Sequence, residues 1–247
     1  MKKIATSVLA LALLAGAASA DTAYQGLPFS QNWTNIGMIT VDDNWSGVAG
    51  ITGFRGDNLT GATGTDPQTL TLADDATPVI DVNANLPDPN VFISGGLAEF
   101  HITNPTVAFQ GSGTADAPYL QIYINAAGYQ NISVAYNLRD IDGSADNASQ
   151  QVALQFRVGT SGTWTNVPAG YVADASTGPS LAVLVTPVAV FLPAAADNAS
   201  QLQIRIMTSN AGGNDEFIGI DDIVIDGTPI GTPTQSSTWG RIKSIYR

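Results

Sequence analysis

The residues of this sequence best placed to do chemistry are two adjacent carboxylates, Asp221 and Asp222. They lie in Gly213-Asn214-Asp215-Glu216-Phe217-Ile218-Gly219-Ile220-Asp221-Asp222-Ile223-Val224-Ile225-Asp226, which reads as a loop feeding a buried strand. Successive strand residues face opposite sides, so one of the two acids is expected to approach the apolar side. A bare carboxylate there is costly unless it is paired, hydrogen-bonded or metal-bound. Asp42 and Asp43 follow an expected first strand, Met38-Ile39-Thr40-Val41. They could share a cation with the other two if the first and last strands are neighbours. Asp42, Asp43, Asp221 and Asp222 are therefore the predicted metal ligands and Ca²⁺ the predicted ion, with loop carbonyls completing its oxygen shell. The competing expectation is one solvent-facing acid and one paired with Arg157 or Arg205.

Other chemistry is less well supported by residue type and spacing. Asp140-Ile141-Asp142-Gly143-Ser144-Ala145-Asp146-Asn147 has the density of oxygens of a calcium loop. An EF-hand, however, needs Gly at its sixth position and Glu at its twelfth, which here are Ala145 and Gln151. The stretch reads instead as an Asp/Asn/Gly turn between strands. His101 is the single histidine, and no Gly-x-Ser-x-Gly turn accompanies it, so no catalytic residue is predicted. Hydrolysis of a polysaccharide by a carboxylate pair needs only two acids and stands as an alternative. Among the aromatics, Trp33 and Trp45 read as anchors. Trp164, in the polar turn Gly162-Thr163-Trp164-Thr165, and Tyr171 are the predicted ligand-stacking residues.

The elements that must position these residues are strands. Leu120-Gln121-Ile122-Tyr123-Ile124-Asn125, Ile132-Ser133-Val134-Ala135-Tyr136, residues 152–158 and Leu202-Gln203-Ile204-Arg205-Ile206-Met207 alternate apolar with polar. Residues 97–103 and 107–110 read as two more. The apolar run at 181–192 is broken by Pro187, which marks an edge strand or bulge. Residues 56–90 are rich in Gly, Thr, Asp, Asn and Pro and read as long loops. Many short strands and no amphipathic helix predict an all-β, jelly-roll-like antiparallel β-sandwich with long early loops.

Ends and charge bound the organisation and the partners. Met1-Lys2-Lys3, an apolar run and Ala18-Ser19-Ala20 form a predicted signal peptide over residues 1–20, of bacterial secretory type. The sandwich is expected over 21–227 and a Pro/Gly linker over 228–237. A basic, aromatic tail, Thr238-Trp239-Gly240-Arg241-Ile242-Lys243-Ser244-Ile245-Tyr246-Arg247, then follows. The absence of cysteine excludes disulfides and thiolate metal sites. The chain's formal charge is −12, and residues 21–226 hold no lysine. Such a surface repels a phosphate backbone, which argues against nucleic acid as a partner. No segment reaches a membrane-spanning length.

Four stretches stand in a fixed order: Tyr136-Asn137-Leu138-Arg139-Asp140-Ile141-Asp142-Gly143, Ala153-Leu154-Gln155-Phe156-Arg157-Val158-Gly159, Asn166-Val167-Pro168-Ala169-Gly170 and Gly219-Ile220-Asp221-Asp222-Ile223. Together they resemble a jelly-roll-like accessory module of secreted bacterial proteins, including nucleases that carry an endonuclease/exonuclease/phosphatase domain. The resemblance covers most of residues 27–226. The catalytic domain of those nucleases has no counterpart here, so their activity is not implied. With the acidic residues above, the expected protein is a secreted or cell-surface, non-catalytic, Ca²⁺-stabilised module whose partner is an extracellular glycan or surface component. The ending resembles short Trp-Gly-x-x-Lys-x-x-Tyr-Arg tails of secreted bacterial proteins. A structural protein sorted or assembled through that tail is the alternative of a different kind.

Overall fold

The computed structural model describes residues 19–72 and 77–231. The predicted linker beyond residue 231, the tail and most of the predicted signal peptide lie outside the described residues. Thirteen strands follow in order: β1 (Gln25–Gly26), β2 (Phe29–Gln31), β3 (Ile51–Phe54), β4 (Asn83–Leu86), β5 (Gly96–Phe100), β6 (Thr106–Gln110), β7 (Tyr119–Asn125), β8 (Tyr129–Asp140), β9 (Ala153–Val158), β10 (Thr165–Asn166), β11 (Val185–Phe191), β12 (Leu202–Met207) and β13 (Ile218–Pro229). The chain is all-β, with four short 3₁₀ turns among the described residues.

The strands form two sheets. The first runs β1-β7-β12-β9-β10 with β3 also on β7; the second runs β11-β8-β13-β6-β5-β4 with β2 on β13. Pairing is antiparallel except at β1–β7 and β4–β5, which are parallel, so both sheets are mixed at their margins. Alternation explains why these segments pair as they do. Leu120, Ile122 and Ile124 of β7, Leu154 and Phe156 of β9, and Leu202, Ile204 and Ile206 of β12 all enter the core between the sheets. Val134 and Leu138 of β8, and Ile218, Ile220, Ile223 and Ile225 of β13, meet them from the other side. Each such aliphatic side chain contributes about 1.5–3 kcal/mol by leaving water.

Two details differ from the sequence reading. Residues 38–41 form no strand: Ile39 alone is buried there, as a loop anchor. The corresponding strand is β3, whose Gly53 lies so close to Trp45 and Leu97 that a Cβ would clash at 2.4 and 2.6 Å. β13 also continues through Thr228 and Pro229, which pair with Gln130 and Tyr129, so the sandwich extends into the expected linker. Pro187 lies on β11, at the edge of the second sheet, where a missing N–H costs no ladder bond. Ser19, within the predicted cleavage site, bridges Asn44.

The outer faces carry what the core does not. Outside the first sheet lie Gln121, Gln155, Arg157, Gln203 and Arg205, all buried; Gln155 and Arg205 donate to carbonyls of the loop that follows β3, and Gln203 to the Tyr24 hydroxyl. Outside the second sheet, Phe92, Phe100 and Phe217 pack with Ala98, Ala108 and Ile141 as a small second core.

Candidate functional site

The two acids of β13 are displaced from the core by a bulge. Asp221 pairs with Asn137 and Val224 with Ala135, so three residues on β13 match two on β8. Asp222 absorbs the extra residue with a left-handed φ of 50°. Ile220 and Ile223 therefore both face the core, and neither carboxylate does. This corrects the simple alternation argument, which holds only for an unbulged strand. Asp221 is fully buried on the outer side. Its Oδ2 accepts from Arg139 at 2.9 Å and from Asn104 Nδ2 at 2.9 Å. Arg139 also donates to the Asn104 carbonyl. Burial still pushes the Asp221 carboxyl above its ordinary value, with Arg139 acting against that rise. The pairing partner is Arg139 rather than Arg157 or Arg205. Asp222 is exposed, and its Oδ2 accepts from Asn137 Nδ2 at 3.0 Å.

Asp42 and Asp43 are placed elsewhere. Asp42 Oδ1 accepts the Ala84 N–H at 2.8 Å and Asp43 Oδ1 the Val82 N–H at 3.2 Å, which pins their turn to the start of β4. Between β4 and β13 stand β5 and β6, so those two strands are roughly 14 Å apart at the usual strand spacing. The structure thus does not gather Asp42, Asp43, Asp221 and Asp222 around one point. Each pair of acids instead fixes local backbone or sheet geometry.

Trp164 is not available as a stacking platform. It is 3% exposed, and the guanidinium groups of Arg157 and Arg205 each lie 4.3 Å from its ring. Its polar neighbours in sequence suggested a surface turn, but the long loop after β3 closes over it and the Thr71 carbonyl accepts its backbone N–H. Tyr171 is half-buried at the end of a 3₁₀ turn, and its hydroxyl donates to Gln151 at 2.7 Å. Trp33 and Trp45 are core anchors whose indole N–H groups donate to the carbonyls of Ile220 and Asp81. His101 stands 3.1 Å from Glu99 as a local pair.

A smaller hollow of about 240 Å³ lies beside Asp222, Ser30 and Asn32, while a wide open groove crosses the loop end near β5, β6 and the start of β13. One lobe, of about 390 Å³, is lined by Gln110, Ser112, Asp146, Asn210, Asn214 and Asp215 among others. A second, of about 650 Å³, is lined by Arg55, Asp81, Asn83, Ser94, Ser112 and Thr114 among others. Ile93, Ser112 and Gly113 belong to both lobes, and Ile93 projects into solvent with 89% of its surface exposed. Several walls are fixed in place. Asp81 Oδ2 accepts the Leu97 N–H at 2.6 Å, Arg55 holds Asp57 through two donors, and Asp215 Oδ1 accepts the Ala211 N–H at 2.8 Å. Burial pushes both Asp81 and Asp215 up to about 6. Of the groove's residues, the sequence singles out as possible chemistry only Asp146, in the Asp140–Asn147 turn, and Gly213, Asn214 and Asp215, in the stretch that feeds β13. The rest come from loops far apart in the chain, and no motif links them.

No family model matches the chain, and no curated protein matches it. Solved structures that it resembles include the K2 cleaved adhesin domain of Lys-gingipain, at 12% identity over 81% of this chain and 97% of that one, with a TM-score of 0.41. Another is a carbohydrate-binding module, CBM28, described as specific for non-crystalline cellulose. It shows 13% identity over 59% and 99% of the two chains and a TM-score of 0.40. The CBM22-1 xylan-binding domain from Paenibacillus barcinonensis follows at 14% identity, 51% and 74% coverage and a TM-score of 0.33. The likeness is distant, and none of the ligands named for those domains is carried over from it. The described residues contain no helix long and apolar enough to cross a membrane.

Proposed function

We propose that the protein is an extracellular, non-catalytic β-sandwich module that binds a neutral glycan in the groove across its loop end. The observation that carries the reading is the lining of that groove: Asn83, Ser94, Ser112, Asn210, Asn214 and Arg55 around an exposed Ile93. Short amide and hydroxyl side chains offer donors and acceptors to sugar hydroxyls, and an apolar side chain between them can meet the C–H face of a sugar ring. Asp81, Asp146 and Asp215 make the walls acidic, which disfavours uronates and other polyanions.

The test is depletion of the purified protein by insoluble cellulose, xylan, chitin and peptidoglycan. Wild type should be retained by at least one of them. Asn210→Ala combined with Ile93→Asp should abolish that retention while the protein stays folded. No retention on any member of the panel would sink the reading.

A second reading, a polysaccharide hydrolase, is favoured by two groove carboxyls, Asp81 and Asp215, that titrate near 6. Each is occupied in holding a backbone N–H, which suits a structural role better. Release of reducing ends by wild type, lost in Asp81→Asn, would favour the hydrolase.

A further inference from the structure

Glu216, two residues before β13, is 1% exposed, and neither of its carboxylate oxygens has a hydrogen-bond partner among the described residues. Asp140, at the end of β8, is 4% exposed; its Oδ2 accepts the Thr177 N–H at 2.6 Å while its Oδ1 has no hydrogen-bond partner among the described residues. Three loops bring these groups together. Ile141 N–H donates to the Phe217 carbonyl and Ala148 N–H to the Asn214 carbonyl, which joins the loop after β8 to the loop before β13. Ser176 Oγ donates to the Ala148 carbonyl, and Ala175 N–H to the Gln150 carbonyl, which brings in the loop bearing Asp174.

The charges facing Glu216 are Asp140, Asp142, Asp174 and Asp146, with no base among them. The four arginines of the described residues are committed elsewhere: Arg55 to Asp57, Arg139 to Asp221, and Arg157 and Arg205 around Trp164 on the first sheet. Burial and these four neighbours push Glu216 up to about 7. A buried carboxylate without donor, base or water-exposed edge is among the costlier arrangements a fold can hold. A cation removes that cost.

We propose that Glu216 and Asp140 are direct ligands of a Ca²⁺ ion at this pole, with Asp142, Asp146 and Asp174 adding charge and water-mediated contacts. Among the described residues no three His, Asp or Glu side chains already converge as a ready coordination shell. Ca²⁺ suits this better than Mg²⁺, because it accepts about six to eight oxygens in variable geometry, including carbonyls and water. Asp146 also lines the groove, which puts one of the neighbouring carboxylates at the solvent side of the pole. The site is separate from the Asp42, Asp43, Asp221 and Asp222 set that the sequence suggested.

The test is calorimetric titration of the EDTA-treated full chain with Ca²⁺, alongside Glu216→Gln and Asp146→Asn. Circular dichroism would establish that all three proteins are folded. Wild type should bind one ion per chain. Glu216→Gln should weaken binding at least about tenfold and Asp146→Asn by less, while equimolar Mg²⁺ should not compete. No binding heat up to millimolar Ca²⁺, or equal affinity in wild type and Glu216→Gln, would overturn the proposal. A proton shared by Glu216 and Asp140 is the rival occupant. It would give no Ca²⁺ isotherm and a stability indifferent to EDTA, which also overturns it. No glycan enters the experiment, so the failure of one reading leaves the other standing.

Discussion

Two buried polar regions of this sandwich, one of Arg and Gln side chains and one of carboxylates, are opposites in energetics. Over the first sheet, Arg157 Nε donates to Gln203 at 2.6 Å, Arg205 Nε to Gln155 at 2.8 Å, and Gln121 to Gln203 at 3.2 Å. The Leu70 carbonyl accepts from Arg205 and the Gly162 carbonyl from Arg157, and both guanidinium groups contact the Trp164 ring. At the loop end of the second sheet, Glu216 and Asp140 are as deeply buried, yet three of their four oxygens have no hydrogen-bond partner among the described residues. A buried polar network whose members satisfy one another specifies structure. One that is left unsatisfied calls for something from outside.

The comparison can be broken at either side. The largest effect is expected over the first sheet, where Trp164→Ala should cost about 4 kcal/mol of unfolding free energy by leaving a cavity beside two buried guanidinium groups. Urea denaturation measures it, and the folded fraction should keep any glycan retention. Unimpaired stability together with lost retention would instead make Trp164 a ligand residue. Arg205→Ala should cost about 3 kcal/mol, because Gln155 and the Leu70 carbonyl lose their donor. At the acidic pole the sign reverses. Glu216→Gln should gain about 1–2 kcal/mol in EDTA at pH 8, by removing a buried, unpaired charge, and should show no gain near pH 4. Calcium should cancel that advantage. The smallest effect is expected at Asp222, exposed on its bulge: Asp222→Asn should stay within about 0.5 kcal/mol, since Asn also tolerates a left-handed backbone.

Much of the sandwich is written in period-2 alternation, and there the sequence is sufficient. β7, β8, β9 and β12 stand where their alternating apolar residues put them, and Pro187 marks an edge. β3 is only four residues long and contains a glycine, while the apolar look of residues 38–41 comes from one anchoring side chain. The β13 bulge cannot be read from Ile220-Asp221-Asp222-Ile223, because it exists only as a mismatch with β8. The site residues divide along the same line. Trp164 looks exposed among Gly and Thr until the loop after β3 folds over it. Glu216 looks ordinary until three loops surround it with carboxylates. Its one local signal is its rarity: it is one of two glutamates, set beside a buried strand in a region without lysine.

The most direct test of an uncompensated pole is the pH dependence of stability, measured by urea denaturation from pH 4 to 8 in EDTA and in Ca²⁺. Glu216 rises from its ordinary 4.5 to about 7 in the fold, so between those values the native state binds more protons than the unfolded chain. Stability must then fall as pH rises through that window, by about 3 kcal/mol for this group alone. Asp81 and Asp215, both raised to about 6, add to the fall over a lower window. The account predicts a steep loss in EDTA and a shallower one in Ca²⁺, which holds Glu216 ionised at a site of its own. A flat or rising profile in EDTA, or profiles that coincide with and without Ca²⁺, would contradict it.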